Sequence, residues 1–152
     1  MRRLWPGLVV VAVALVAPAC GSDTKAANDY VDAVNRAQNQ FATTFDQLSG
    51  QITSTSTAAQ DRRTLDGFKR AIDKVVADFR AVQAPDKVKP LHDKLIAEVS
   101  SYGVQIDNAK GAFADNDPQA IVKAQADLIA AVTKVQAQIN QTIADINKKL
   151  RE

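Results

Sequence analysis

The sequence predicts an all-α domain, folded as an up-down antiparallel four-helix bundle behind an N-terminal signal peptide. Apolar residues recur at helical spacing in four blocks, and residues typical of turns separate the blocks. Aromatic residues make up only 5% of the chain, which favours packed helices over a strand-rich sandwich. A chain of 152 residues is long enough for one ordinary globular domain with a single core.

The first two predicted helices are separated by a turn rich in Ser and Thr. The first begins close to residue 29, and its apolar stripe is Tyr30, Val34, Ala37, Phe41, Phe45, Leu48 and Ile52. Thr57, followed three residues later by Gln60, forms a capping-box pattern that predicts the start of the second helix. The stripe of that helix is Leu65, Phe68, Ile72, Val75, Val76, Phe79 and Val82. We expect Pro85 to end it, because proline cannot donate the next helical hydrogen bond.

Proline also marks the beginnings of the last two predicted helices. The third helix opens at Asp86 or Lys89 with Pro90 in its first turn, and the fourth opens with Asp117 as N-cap and Pro118 at the first helical position. The third stripe is Leu91, Leu95, Val99, Tyr102, Ile106, Ala109 and Phe113. The fourth is Ile121, Leu128, Val132, Val135, Ile139, Ile143, Ile146 and Leu150.

Four amphipathic helices joined by short loops must bury their stripes against one another, and short loops make sequence neighbours antiparallel. The aromatic residues expected in the core are Phe41, Phe79 and Phe113. Three glycines inside helices indicate close helix approach, a local kink or ordinary tolerance, at about 1 kcal/mol each relative to Ala. They are Gly67, Gly103 and Gly111.

The N-terminus has the three parts of a secretory signal. Arg2 and Arg3 form a basic start, an apolar run follows over residues 4–16, and small residues end the segment at Ala17-Pro18-Ala19. The apolar run is shorter than the roughly 20 residues that a transmembrane helix needs, so an uncleaved anchor is the lesser alternative. The predicted organisation is a signal peptide over 1–19, a lipidated Cys and short tether over 20–28, and a helical domain over 29–152.

The junction Val16-Ala17-Pro18-Ala19-Cys20-Gly21-Ser22 resembles the lipobox of bacterial lipoproteins. That resemblance implies that the thiol of Cys20 is diacylated and that Cys20 becomes the mature N-terminus. Ala17-Pro18-Ala19 also satisfies the rule for ordinary secretion, which cuts the same bond and leaves a free thiol. Cys20 is the single Cys of the chain, so no internal disulfide can form. We expect localisation at the extracytoplasmic face of the cell membrane, with secretion as the alternative.

The charge of the chain argues against a nucleic-acid partner. Arg2 and Arg3 account for the formal net charge of +2, because residues 1–19 contain no acid and the remainder is neutral. A neutral domain has no electrostatic term that would hold it on a phosphate backbone. The short tether would keep the domain close to the membrane, so an envelope protein is the expected partner of a monomeric chain.

His92 is the only histidine, and any catalysis or metal ligation by histidine would have to use it. Its helical neighbours offer no carboxylate or second histidine for a chelate. The His-x-x-Glu motif of helical iron-uptake lipoproteins is not formed, because Leu95 occupies the Glu position. We expect His92 at the boundary or surface of the domain, with a ligand or catalytic role as the alternative. No metal and no cofactor is predicted.

Other charged and polar groups have ordinary helical explanations. Asp115 and Asp117 do not continue into an EF-hand pattern, so they are interpreted as capping residues. Basic residues near the C-terminus complement the helix dipole. They are Lys148, Lys149 and Arg151. The polar face of the fourth helix is expected to be solvated, or else to meet another helix. It carries Gln136, Gln138, Asn140, Gln141 and Asn147.

A second resemblance lies around the third helix. Ala84-Pro85 followed by Pro90-Leu91-His92 is similar to a pattern in small uncharacterised lipoproteins of high-GC Gram-positive bacteria. That family implies no activity and no site residue beyond Cys20. We therefore expect a membrane-anchored extracytoplasmic lipoprotein that acts as a non-enzymatic interaction or structural module. The alternatives are a protein that binds a small ligand or metal inside the bundle, which a polar residue on a core stripe would favour, and an enzyme.

Overall fold

Four α-helices make up nearly all of the part of the chain that the computed structural model describes, which comprises residues 22–49, 51, 57–114 and 118–152. They are α1 (Ser22–Ser49), α2 (Ala58–Ala81), α3 (Lys89–Ala114) and α4 (Pro118–Arg151). A 3₁₀ turn over Asp86–Val88 leads into α3, and these residues contain no strand. The prediction of an all-α helical bundle is confirmed. None of these four helices is long and apolar enough to cross a membrane.

Several predictions concern residues outside the described part of the chain. The predicted signal segment 1–19 and Cys20 belong to this group, and so do Asp115 and Asp117. The side chain of Phe113 is likewise outside the description, although its backbone belongs to α3.

Helix α1 begins at Ser22 and includes most of the segment predicted to be a tether. Ala27 is buried in the core, and Lys25 forms an ion pair with Asp29 one turn later, at 2.5 Å. Alanine and a correctly spaced opposite-charge pair both favour helix. Because a helix rises 1.5 Å per residue, this segment reaches less than half as far as an extended chain would.

The start of α2 matches its predicted capping box, but its end does not match the prediction. The Thr57 hydroxyl accepts from the Gln60 backbone N–H at 3.3 Å, and the Thr57 N–H donates to Gln60 Oε1 at 2.7 Å. The helix ends at Ala81, four residues before Pro85. The next residue, Val82, has an extended backbone and donates its N–H to the Phe79 carbonyl. The Phe79 carbonyl also lies within hydrogen-bond distance of His92 in α3, so its hydrogen-bonding capacity is met although α2 does not continue.

The core consists mainly of the predicted stripes. Phe79 is buried with 1% of its surface exposed, whereas Phe41 is only half-buried, so the prediction holds for the first residue and is wrong for the second. The buried apolar residues are Ala27, Tyr30, Val31, Val34, Ala37, Leu65, Phe68, Ile72, Val75, Val76, Phe79, Val88, Leu95, Val99, Tyr102, Ile106, Ala109, Val135, Ile143, Ile146 and Leu150.

Helices that follow one another in sequence form the main packing contacts, which join α1 to α2, α2 to α3 and α3 to α4. Two of the three helical glycines lie at close approaches. A Cβ at Gly67 would stand 2.8 Å from Leu48 Cδ2, and one at Gly103 would stand 3.2 Å from Lys69 Cε. A Cβ at Gly111 would meet nothing within 4 Å, so this glycine is not required by packing.

Candidate functional site

His92 is a buried polar residue of the described core, and it lies in the first turn of α3 with only 3% of its surface exposed. The expectation that His92 lies at the boundary or surface is therefore wrong. His92 shares one helical face with three apolar residues, because the four positions are spaced by four, three and four residues. In chain order they are Val88, His92, Leu95 and Val99. That spacing was visible in the sequence, but the stripe was traced through Leu91, which is only half-buried.

His92 joins three helices through its two ring nitrogens. Nε2 lies 3.0 Å from the carbonyl oxygen of Phe79 in α2, and Nδ1 lies 3.2 Å from the hydroxyl of Tyr30 in α1. A carbonyl can only accept, so Nε2 carries the hydrogen, and Nδ1 of the neutral ring accepts from the Tyr30 hydroxyl. Both aromatic rings also contact the imidazole edge-on, with centroid distances of 5.5 Å for Tyr30 and 6.4 Å for Phe79.

Burial keeps this cluster uncharged. It lowers the pKa of His92 below its ordinary value of 6.5, while the Phe79 carbonyl and Asp93 act in the opposite direction and Lys89 in the same one. Burial also raises the pKa of Tyr30 to about 12. At neutral pH every polar atom of the Tyr30–His92–Phe79 cluster is hydrogen-bonded within the protein. The imidazole then has no lone pair left for a metal ion or a substrate. The cluster therefore stabilises the packing of α1, α2 and α3.

A second buried polar contact joins α3 to α4. Thr142, with 0% of its surface exposed, donates its hydroxyl to Glu98 Oε1 at 3.1 Å. Lys94 Nζ lies 3.7 Å from the same oxygen, whereas the buried Glu98 Oε2 has no hydrogen-bond partner. Sequence reasoning missed Thr142, although it continues the steps of four, three and four that run through Val135, Ile139 and Ile146.

A groove of about 850 Å³ lies between α1 and α2. Its polar lining is asymmetric. Helix α2 contributes the charged residues Arg70, Lys74 and Asp78, whereas α1 contributes uncharged residues alone, namely Asn39, Gln40, Thr43 and Thr44. Its apolar lining consists of Ala37, Phe41, Leu48, Gly67, Ala71 and Val75.

The remaining charged candidates lie at a helix end. Lys148, Lys149 and Arg151 are exposed in the last turn of α4, where cations complement the helix dipole. Lys149 pairs with Glu152 at 2.8 Å, and Lys87 donates to the carbonyl of Leu150 at 3.1 Å. Over the described ranges, no group of three or more His, Cys, Asp or Glu side chains is placed to hold a metal ion.

Comparison of the chain with protein-family models, with curated proteins and with solved structures found no match.

Proposed function

We propose that the chain is an exported, lipid-anchored protein of the cell envelope whose helical domain is a non-enzymatic interaction or structural module. One observation carries this proposal: the single Cys of the chain, Cys20, immediately follows a small residue at the end of an apolar N-terminal segment. Acyl chains on that thiol would contribute about 0.8 kcal/mol per buried methylene, and two chains suffice for stable anchoring.

We also propose that the four helices form an up-down antiparallel bundle. Three pairs of residues support this arrangement, because each joins the early part of one helix to the late part of its neighbour. Leu48 of α1 meets Gly67 of α2, Lys110 of α3 lies 2.5 Å from Asp66 of α2, and Lys87, just before α3, reaches Leu150 of α4. Short connections between the helices agree with this order.

The non-enzymatic part of the proposal rests on the chemistry of the buried polar groups. Polar residues on core stripes would favour a ligand inside the bundle, and His92 and Thr142 are such residues. Their polar atoms, however, are bonded to Tyr30, Phe79 and Glu98. These groups stabilise helix contacts, so a module that acts through its surface is favoured over a small-ligand or metal protein that uses its interior.

The anchor is tested by intact mass and by fractionation of cells that express the full chain. Wild-type protein should carry an addition of diacylglyceryl size and partition into detergent, and Cys20→Ser should lose both properties. Ser22→Ala, two residues away, is the matched control and should keep both. Wild-type protein recovered from the medium with an unmodified Cys20 would overturn the anchor proposal.

The interaction role needs a separate experiment. Crosslinking in intact cells, followed by purification of the anchored protein, should recover one envelope partner in stoichiometric amount, and Cys20→Ser should lose it by leaving the membrane. Recovery of the wild-type protein as a free monomer at every crosslinker concentration would contradict an interaction module.

A further inference from the structure

The seam between α1 and α2 is tightly packed over one half and open over the other. In the first half of α1, Tyr30 and Val34 are each 2% exposed. In the second half Phe41 is only half-buried and lines the groove. On α2 the lining includes Ala71, which is half-buried and carries only a methyl side chain. The groove lies along this more open half of the seam.

The size of the groove suits a small molecule. Its lining spans residues 37–48 of α1 and 67–78 of α2, which is about 16 Å along each helix at 1.5 Å per residue. Its volume of about 850 Å³ lies within the range of roughly 300 to 1,000 Å³ that is usual for small-molecule sites.

The chemistry of the groove suits an anion attached to an apolar chain. Arg70 and Lys74 are exposed one turn apart on α2, and Lys74 is paired with Asp78 at 2.7 Å. Asp66, one turn before Arg70, is hydrogen-bonded to Lys110, and the charge of Arg70 acts with Lys110 to lower the pKa of Asp66. On the α1 side the hydroxyls of Thr43 and Thr44 donate to carbonyls of their own helix, and no charged residue of α1 lines the groove. Arg70 is therefore the best-placed group for a carboxylate or phosphate.

We propose that this groove binds a single-chain amphiphile with an anionic head, whose hydrocarbon chain lies along the apolar lining and whose carboxylate or phosphate meets Arg70. Apolar walls with a few polar groups that fix orientation are the usual composition of ligand sites. A guanidinium is suited to planar or tetrahedral oxyanions, because it offers several donors in a fixed fork. This site lies outside the bundle interior and is independent of acylation at Cys20.

The proposal is tested by titrating the full chain, prepared without detergent, with dansyl-labelled undecanoic acid and with the matching alcohol. Dansyl fluorescence should report saturable binding of the acid at one site, and the alcohol should bind at least tenfold more weakly. Arg70→Gln should reduce the affinity for the acid to that for the alcohol. Arg63→Gln is the matched control, because Arg63 is an exposed arginine of α2 outside the groove lining, and it should change neither affinity.

Two further variants fill the groove from opposite walls. Ala71→Phe on α2 and Thr44→Phe on α1 replace half-buried lining residues, and both should lose the acid and the alcohol while keeping a wild-type circular dichroism spectrum. Unchanged binding in whichever filled variant folds would overturn the proposal. An equal loss of affinity for the acid in Arg63→Gln and Arg70→Gln would also overturn the proposal, because the acid would then be attracted by the general positive charge of α2 and not by Arg70.

Other occupants of the groove would give different results. Binding to anionic phospholipid vesicles without saturable binding of the dispersed acid would show a membrane-docking surface and overturn the single-ligand site. A dimer in sedimentation that Ala71→Phe dissociates would assign the groove to a second copy of the chain, with the same consequence.

Discussion

Removal of the Tyr30 hydroxyl should destabilise the domain, because that hydroxyl is the partner of a buried nitrogen. In Tyr30→Phe the ring remains, but His92 Nδ1, 3.2 Å from the lost oxygen, keeps a lone pair with no donor. A buried polar group left unsatisfied costs about 1–3 kcal/mol. His92→Leu should cost a similar amount, since the Tyr30 hydroxyl would then lack its acceptor.

The double variant separates this hydrogen bond from simple loss of packing. When both groups are replaced by apolar side chains no buried polar atom of the pair remains, so the combined loss should be smaller than the sum by about 0.5–3 kcal/mol. Urea unfolding of the wild type, both single variants and the double variant, followed by far-ultraviolet circular dichroism at neutral pH, measures this coupling. Thr142→Val combined with Tyr30→Phe is the control, and it should be additive because Thr142 belongs to the Glu98 contact.

One outcome would refute the assignment of the Tyr30–His92 bond. If Tyr30→Phe and His92→Leu are additive within about 0.5 kcal/mol, the two side chains do not exchange a hydrogen bond in solution. The orientation of His92 towards the core would then need another explanation.

Three further measurements test other features of the domain. Burial lowers the pKa of His92 in the folded protein below 6.5, so the unfolded chain takes up the proton at a higher pH than the folded one. The free energy of unfolding should therefore keep its full value above pH 6.5 and decrease as the pH falls below 6.5. Urea midpoints of His92→Leu should not show this decrease. Phe79→Ala should cost about 3–5 kcal/mol in urea unfolding, and Phe41→Ala clearly less, since only Phe79 is fully buried; equal losses would contradict the burial. Gly111→Ala should stabilise α3 by about 1 kcal/mol in thermal unfolding, and Gly67→Ala should gain less because a leucine methyl must move; the reverse order would be inconsistent with the packing.

The helices themselves could be predicted from local sequence. The Thr57–Gln60 capping box formed as expected, because both of its hydrogen bonds lie within four residues. The second stripe is equally local, and its members Leu65, Phe68 and Ile72 are each 3% exposed. Apolar residues at helical spacing must turn to one side, and that side is buried in any compact helical fold.

The candidate sites were less predictable because they depend on distant residues. His92 was expected at the boundary or surface of the domain, yet it is buried and shares a face with Val88 and Leu95. A buried histidine is tolerated only where partners satisfy it, and its partner Tyr30 lies 62 residues earlier in the chain. The groove has the same kind of origin, since no local pattern shows that Phe41 of α1 and Ala71 of α2 line the same groove.

The sequence by itself determined the helical class, the four helices and most of the apolar core, because periodicity and capping act over a few residues. Only the tertiary structure decided where α2 ends, which polar side chains enter the core and where the helices leave space between them. The Phe79 carbonyl illustrates the reason. Its hydrogen-bond partner His92 belongs to another helix. Whether a helix end or a polar group is satisfied depends on what the rest of the fold brings to it, which spacing within one helix does not specify.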